Sequence, residues 1–373
     1  MIKLFLIVLL TMLLLYSLFY LGTAFIYFFS MKKQSPKTKD HTKFSVIIPA
    51  RNEEKNITNI LNDLIQQDYP KELYEIIVVD DESTDQTNDA VQKFLINNPG
   101  FDIKLLHAKN NVHKKKGALS IGIKSASNEM IITRDADTIS NTDWLLSISS
   151  FIQMNEADMY IGPVQLRSEN TVIGVFQEME HVVLQSSGGG MAILNKPYLC
   201  NGANLVFKKS MFEALKGYEG NLNEPSGDDI FLMEKFRKNQ KIRIQFIPFE
   251  DASVTTFPIS NFRDLLQQKL RWSGKFRWTT NPINTFSASL FVLTHLLLTV
   301  SPLIIFESSG YTLFVILIVL IKITTDYLLL LLSNKKMNLK SVLIMPIFSV
   351  CIPMYLLCIF LCKPLLTNSW KGR

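Results

Sequence analysis

Polarity divides the chain into an apolar opening, a long mixed middle and an apolar close. From Ile2 to Ser30 the only charge is Lys3, and about 20 apolar residues suffice to span the ~30 Å hydrocarbon layer as a helix. Residues 1–31 therefore read as a transmembrane anchor; the run is much longer than the ~7–15-residue core of a cleaved signal, and no A-x-A site follows it. Three further apolar runs, Phe286–Phe306, Tyr311–Leu332 and Val342–Cys362, predict three membrane segments within 285–363, with a short tail over 364–373. Lys32, Lys33, Lys37, Lys39 and Lys43 follow the anchor directly, which places the middle of the chain on the cytoplasmic side of a cell membrane. Lys335, Lys336 and Lys340 agree with a cytoplasmic loop. Lys363, Lys371 and Arg373 then fall outside, against the bias, unless the last run, interrupted by Pro346 and Pro353, stops short of a full crossing.

Residues 43–258 alternate short β-rich runs with helical patterns. Phe44–Pro49 and Glu75–Asp80 have the unbroken apolar character of strands buried on both faces. Between them Ile57, Ile60, Leu61, Leu64 and Ile65 follow the spacing of an amphipathic helix. Ile103–Leu106 and Met130–Thr133 continue the strand series, with Lys116–Ala126 as an intervening helix. This alternation predicts a doubly wound α/β sheet whose site opens at the carboxyl ends of its strands. Over 259–283 an amphipathic interface helix is expected.

Composition changes the picture only at the margins. The 373 residues are 47% hydrophobic and 19% charged, which excludes disorder and agrees with membrane segments beside a folded domain. With 39 Lys+Arg against 33 Asp+Glu the net charge is +6, too mild for a dedicated nucleic-acid binder, so no nucleic-acid partner is expected. Cys351, Cys358 and Cys362 lie in the last apolar run and Cys200 stands alone, giving neither a disulfide framework nor a zinc pattern.

The candidate chemistry is acidic. Strand 44–49 runs into Ala50-Arg51-Asn52-Glu53-Glu54, with no glycine-rich phosphate loop, so ordinary dinucleotide and ATP sites are disfavoured. Strand 75–80 ends in Asp80-Asp81-Glu82-Ser83-Thr84-Asp85, a cluster suited either to a nucleoside's N–H and hydroxyl groups or to capping the next helix. Met130–Thr133 runs into Arg134-Asp135-Ala136-Asp137; in an extended segment Asp135 and Asp137 would face one divalent cation together. Asp228 and Asp229 after Gly227 would cap a helix or supply a general base. Gln268, Arg271, Trp272 and Lys275 share one helix face, suited to a pyrophosphate and a stacked sugar, or to lipid headgroups.

FSVIIPARNEE at 44–54, VVDDESTDQT at 78–87, DAD at 135–137, GDD at 227–229 and QKLRW at 268–272, in that order, resemble the family 2 glycosyltransferases over Lys43 to Trp278. The resemblance implies a GT-A fold: a Rossmann-like mixed α/β sheet binding a nucleotide sugar, joined here to transmembrane helices. It implies that Arg51, Asp80 and Asp81 hold the nucleoside, that Lys116 in the Lys-Gly-Ala-Leu stretch lies near uracil or diphosphate, and that Asp135 and Asp137 match the D-x-D motif of a Mg²⁺ or Mn²⁺ site. It further implies Asp229 as the base, with Asp228 where glutamate is usual, and Gln268, Arg271 and Trp272 as the Q-x-x-R-W of membrane members. More weakly, Asn204 in the Cys200–Asn204 loop would lie near donor sugar and acceptor. The implied activity is inverting transfer of a sugar from a nucleoside diphosphate sugar, UDP-sugar first, to a hydroxyl of a lipid or lipid-linked glycan. The alternative within the family is a processive polysaccharide synthase, for which four spans are few.

Overall fold

The computed structural model describes residues 1–36, 38, 40–109, 113–168, 171–222, 224, 227–239, 241–273, 280–307, 309–333, 343–349, 352 and 355. Two compact units emerge: an α/β unit of Ser30–Arg167 with Met191–Phe257, and a helical unit of Met1–Phe29, Ser168–Gly190 and the described residues from Pro258 on. Residues 168–190, expected inside the 43–258 domain, thus belong to the helical unit.

In the α/β unit, β1 (Phe44–Ala50) and β2 (Tyr74–Asp80) are buried along their whole length, which is why neither shows an alternating pattern. They are followed by β3 (Ile103–His107), β4 (Met130–Thr133), β5 (Ile139–Ser140), β6 (Met159–Ile161), β7 (Val164–Leu166), β8 (Leu205–Lys208), β9 (Ile244–Phe246) and β10 (Val254–Thr256). The main sheet has the order β3-β2-β1-β4-β8-β6-β9, and a small one the order β5-β10-β7. From β3 to β4 all pairings are parallel, as the strand–helix alternation predicts. Beyond β4 the sheet is mixed, with β8 antiparallel to both its neighbours and β9 parallel to β6. Helix Ile57–Ile65 buries Ile57, Ile60, Leu61 and Leu64, four of the five positions its spacing marks, and half-buries the fifth, Ile65. Helix Lys114–Ser125 lies on β1 and β2 so closely that a Cβ at Gly122 would stand 2.6 Å from Ile47 Cγ2 and 3.0 Å from Val79 Cγ2. Because the parallel strands share one polarity, their carboxyl ends share one edge, with Ala50 opposite Asp80 and Ile47 opposite Thr133.

In the helical unit, Ile2–Ser30, Pro282–Ile305 and Ser309–Ser333 are long and apolar enough to cross a membrane. The fourth expected run, Val342–Cys362, lies largely outside the described residues, as do Lys37, Lys39, Ser226, Lys275 and the lysines of 335–340. A buried polar cluster links Ile2–Ser30 to Ser309–Ser333. Lys322 pairs with Asp326 one turn later, and Asp326 also accepts hydrogen bonds from Tyr16, at 3.2 Å, and from Ser349. The Lys322 ammonium stands 4.9 Å from the centre of the Tyr16 ring, and the hydroxyls of Ser17 and Thr325 meet at 2.9 Å. Ionisable groups among apolar helices are tolerated when paired in this way. Helix Val172–Ile193 comes so near Ile2–Ser30 that a Cβ at Gly190 would lie 2.2 Å from the Thr23 carbonyl oxygen.

Candidate active site

The loops leaving β1 and β2 are laced into one ledge. Arg51 Nη1 donates to the carbonyl oxygens of Asp81 and, at 3.1 Å, Glu82. Asn52 N–H donates to Ser83 Oγ at 3.0 Å, and Asn52 Oδ1 accepts Thr84 N–H at 2.9 Å. Asp85 accepts the N–H groups of Glu54 at 3.1 Å and Thr87 at 3.0 Å, the latter opening helix Thr87–Asn97. Burial works against the Asp85 charge, but the hydroxyl and N–H donors outweigh it and hold its carboxyl below the usual range. Asp85 thus ties down the entrance of that helix, whose N-cap is Gln86 rather than the Ser83 or Thr84 the capping reading favours. Asp80 and Asp81 are buried; Asp80 accepts Ser83 N–H at 3.3 Å and faces His107 Nδ1 at 3.7 Å. Arg51 Nε is buried with no hydrogen-bond partner among the described residues.

After β4 the chain turns at Ala136–Asp137 instead of staying extended, with the Thr138 hydroxyl donating to Asp135 O at 2.7 Å. Asp135 is half-buried and Asp137 exposed. Beneath this turn lies Arg134, fully buried. It pairs with Asp63 at 2.9 Å, donates to Ser140 Oγ at 3.0 Å and stacks 4.5 Å from the Trp144 ring centre. Burial pulls its guanidinium pKa below the usual arginine value, with Asp63 opposing.

Asp228 and Asp229 open helix Asp228–Lys238 after Gly227, whose φ of +86° a side chain would strain. Two backbone donors set the Asp229 carboxylate, Ile230 N–H at 2.8 Å and Gly202 N–H at 3.4 Å. Gly202 O in turn accepts the hydroxyl of Thr133, the last residue of β4, at 2.7 Å. A Cβ at Gly202 would stand 3.0 Å from Asp228 Oδ2 and 3.8 Å from Lys115 Nζ. At the centre is Lys115 Nζ, 2.6 Å from Asp135 Oδ1 and 3.5 Å from Asp228 Oδ2. Burial disfavours its charge, but Asp135, Asp228 and Asp229 more than offset this and push its pKa well above the ordinary lysine value.

Lys115 is the residue the sequence reading missed. Its neighbour Lys116 donates to Asn221 O at 2.7 Å and Glu224 O at 3.0 Å and stacks 4.6 Å from the Phe231 ring centre, so it holds the approach to helix Asp228–Lys238. Tyr218 was also missed; burial, then Asp228, hold its hydroxyl well above its ordinary pKa. Asn204, expected near donor sugar and acceptor, is fully buried and spends its side chain on the protein. Its Nδ2 donates to Pro163 O and Ala252 O, both at 2.8 Å, and its Oδ1 accepts Trp144 Nε1–H at 3.3 Å. Gln268, Arg271 and Trp272 lie on helix Phe262–Ser273 of the helical unit. There Lys269 pairs with Glu180 and stands 4.4 Å from the centre of the Trp272 ring, while burial, opposed by Asp264, draws the Arg271 pKa below its usual value.

The carboxylate-only donor set around Lys115 suits a hard divalent cation. Among the described residues no three His, Cys, Asp or Glu side chains form a ready-made metal cage.

The chain is 35% identical over 119 residues to a poly(ribitol-phosphate) β-N-acetylglucosaminyltransferase, TarS, of Staphylococcus aureus, covering 32% of this chain and 20% of TarS. It is 39% identical over 101 residues to a dolichyl N-acetyl-α-D-glucosaminyl phosphate 3-β-D-2,3-diacetamido-2,3-dideoxy-β-D-glucuronosyltransferase of Methanococcus voltae, covering 27% of this chain and 31% of that one. It thus spans less than a third of either relative. Among solved structures, the mannosyltransferase PcManGT of Pyrobaculum calidifontis, in complex with GDP-Man and Mn²⁺, superposes with a TM-score of 0.58 at 16% identity over 95% of this chain and 99% of that one. That likeness shows the GT-A fold. Residues 45–215 match the model of glycosyl transferase family 2, and it is to this family that the α/β unit belongs.

Proposed function

We propose that the protein is an inverting glycosyltransferase that moves a sugar from a nucleoside diphosphate sugar, UDP-sugar first, to a hydroxyl of a membrane-associated acceptor, a lipid or lipid-linked glycan. The observation that carries this is the meeting of Asp135 and Asp228 at Lys115, with Asp229 beside Asp228 and held by Gly202 N–H, in a unit of which residues 45–167 and 191–215 match the family 2 model. Arg51, Asp80 and Asp81, on the ledge at the ends of β1 and β2, would take the nucleoside. Asp135 and Asp137 would hold Mg²⁺ or Mn²⁺, which when bound supplies positive charge to the departing diphosphate. Lys115 adds a second positive charge to the same pocket. Asp229, its carboxylate oriented by Gly202 and Ile230 N–H, would take the acceptor's proton as that oxygen attacks the anomeric carbon. A weakly basic carboxylate serves because the hydroxyl becomes acidic only as the bond forms, and such assistance is worth typically ~10²–10⁴-fold. Arg271, Gln268 and Trp272 would serve the diphosphate and acceptor, and Asp228 would neighbour the base.

Three helices long and apolar enough to span a bilayer support an acceptor delivered by lateral diffusion in the membrane, and the dolichyl-linked substrate in the Methanococcus relative's name supports a lipid-linked one. The lysines after residue 31 favour a cytoplasmic α/β unit. The test is a donor screen on the detergent-solubilised full chain with and without Mn²⁺, reading nucleoside diphosphate release. Release with one donor, reduced ~10²–10⁴-fold in Asp229→Asn with donor binding intact, supports the reading; no release with any donor refutes it. A distribution of product lengths extending to long polymers would favour the processive alternative.

A further inference from the structure

Lys115 Nζ occupies the point from which one charge touches both Asp135, at 2.6 Å, and Asp228, at 3.5 Å. A divalent ion bound to the same Asp135 oxygen would sit ~2.0–2.2 Å from it. An ion on that oxygen would stand within contact distance of an ammonium 2.6 Å from the same atom, so the two cations compete for Asp135. Gly202 borders this pocket: a Cβ there would stand 3.8 Å from Nζ and 3.0 Å from Asp228 Oδ2. Nor is the ammonium loosely placed, since the Lys115 side chain is 22% exposed and tied by both ion pairs.

We infer that Lys115 is an internal latch on the cation site: in the protein without donor its ammonium and a divalent cation exclude one another at Asp135, and a donor diphosphate releases the latch by offering the ammonium a new anionic partner. The exchange balances in charge and bonds. Asp135 would give up an N–H···O contact and replace one water of the hydrated cation, while Lys115 would give up one carboxylate oxygen for a phosphate oxygen. The consequence is an order of binding, with nucleotide first or together with the metal, so that the acids do not collect a cation before a substrate is present. This inference rests on the proposed function for the identity of the diphosphate, but its first half concerns the protein and a metal alone.

The experiment titrates Mn²⁺ into the detergent-solubilised full chain with no nucleotide, reading free Mn²⁺ by electron paramagnetic resonance. Lys115→Met removes the charge at similar length. Lys115→Gln keeps a hydrogen-bond donor for Asp135 and guards against misfolding, and Lys115→Arg keeps the charge. Loss of a competing cation in contact with the ligand oxygen should tighten Mn²⁺ binding about tenfold or more in the Met and Gln variants, with Arg staying near wild type. Adding uridine diphosphate should then tighten Mn²⁺ binding more in wild type than in Lys115→Gln. Equal or weaker Mn²⁺ binding by folded Lys115→Gln without nucleotide overturns the latch. Failure of the glycosyl-transfer reading would appear elsewhere, as the absence of nucleoside diphosphate release from any donor, and would leave the metal titration unchanged.

Discussion

Asn204→Ala separates a residue that touches substrate from one that holds the site's frame. Truncation strips two buried groups of the Asn204 partner, the carbonyl of Ala252, 2.8 Å from Nδ2, and the indole N–H of Trp144, 3.3 Å from Oδ1, and takes one of two donors from Pro163 O, which keeps Val254 N–H at 3.1 Å. A buried polar group stripped of its partner costs about 1–3 kcal/mol. Water entering the space left by the amide would recover part of this, so about 3 kcal/mol in total is a working figure. For a unit of about 200 residues each kcal/mol lowers Tm by about 2–4 °C, so a fall of about 6–12 °C is expected. Differential scanning fluorimetry of the solubilised protein reads this directly. At a temperature where the variant remains folded, the KM for the donor should stay within about twofold of wild type, because every polar atom of the side chain already faces protein. A Tm within about 2 °C of wild type, combined with a donor KM raised tenfold or more, would refute the structural assignment and return Asn204 to the substrate.

Asp326→Ala leaves Lys322 buried without its anion, and breaking such a pair costs about 3–5 kcal/mol; thermal melts in detergent should show the loss, and the double variant Lys322→Met/Asp326→Leu should recover most of it. Gly190→Ala puts a methyl 2.2 Å from the Thr23 carbonyl oxygen, and the forced shift should cost about 1–3 kcal/mol in the same assay. Burial raises the Glu75 pKa, but hydrogen bonds from Lys104, Ser45 and Ser127 outweigh it, leaving the folded value below 4.5. Its stabilisation is therefore complete above about pH 4.5 and lost as pH falls through the lower folded value, so Glu75→Gln should flatten the stability–pH profile on the acid side below about pH 4.5.

The parallel half of the sheet was legible because burial on both faces writes itself as an unbroken apolar run, as at Phe44–Ala50 and Tyr74–Asp80. The mixed half was not: β6 and β9 are three residues each, and what makes them strands is pairing across the sheet, with β6 held between β8 and β9. Distant partners were equally hidden. No local pattern announces that Arg134 will pair with Asp63 beneath the Asp135 turn, since only the packing of β4 against β1 brings the two segments together.

At the site itself, residue type was readable and direction was not. Lys114, Lys115 and Lys116 are chemically alike, but successive helix positions are turned by about 100°, so one of the three meets the acids and the next one points elsewhere. Which of them does so is set by the docking of helix Lys114–Ser125 on β1 and β2 through Gly122, where an added Cβ would stand 2.6 Å from Ile47 Cγ2. A bulky residue at Gly122 would push this helix off the sheet and carry Lys115 away from Asp135 and Asp228 with no change to any charged residue. Gly122→Val should therefore mimic Lys115→Gln in Mn²⁺ binding while also lowering Tm. If it instead lowers Tm and leaves the Mn²⁺ isotherm at the wild-type value, the position of Lys115 does not depend on this contact.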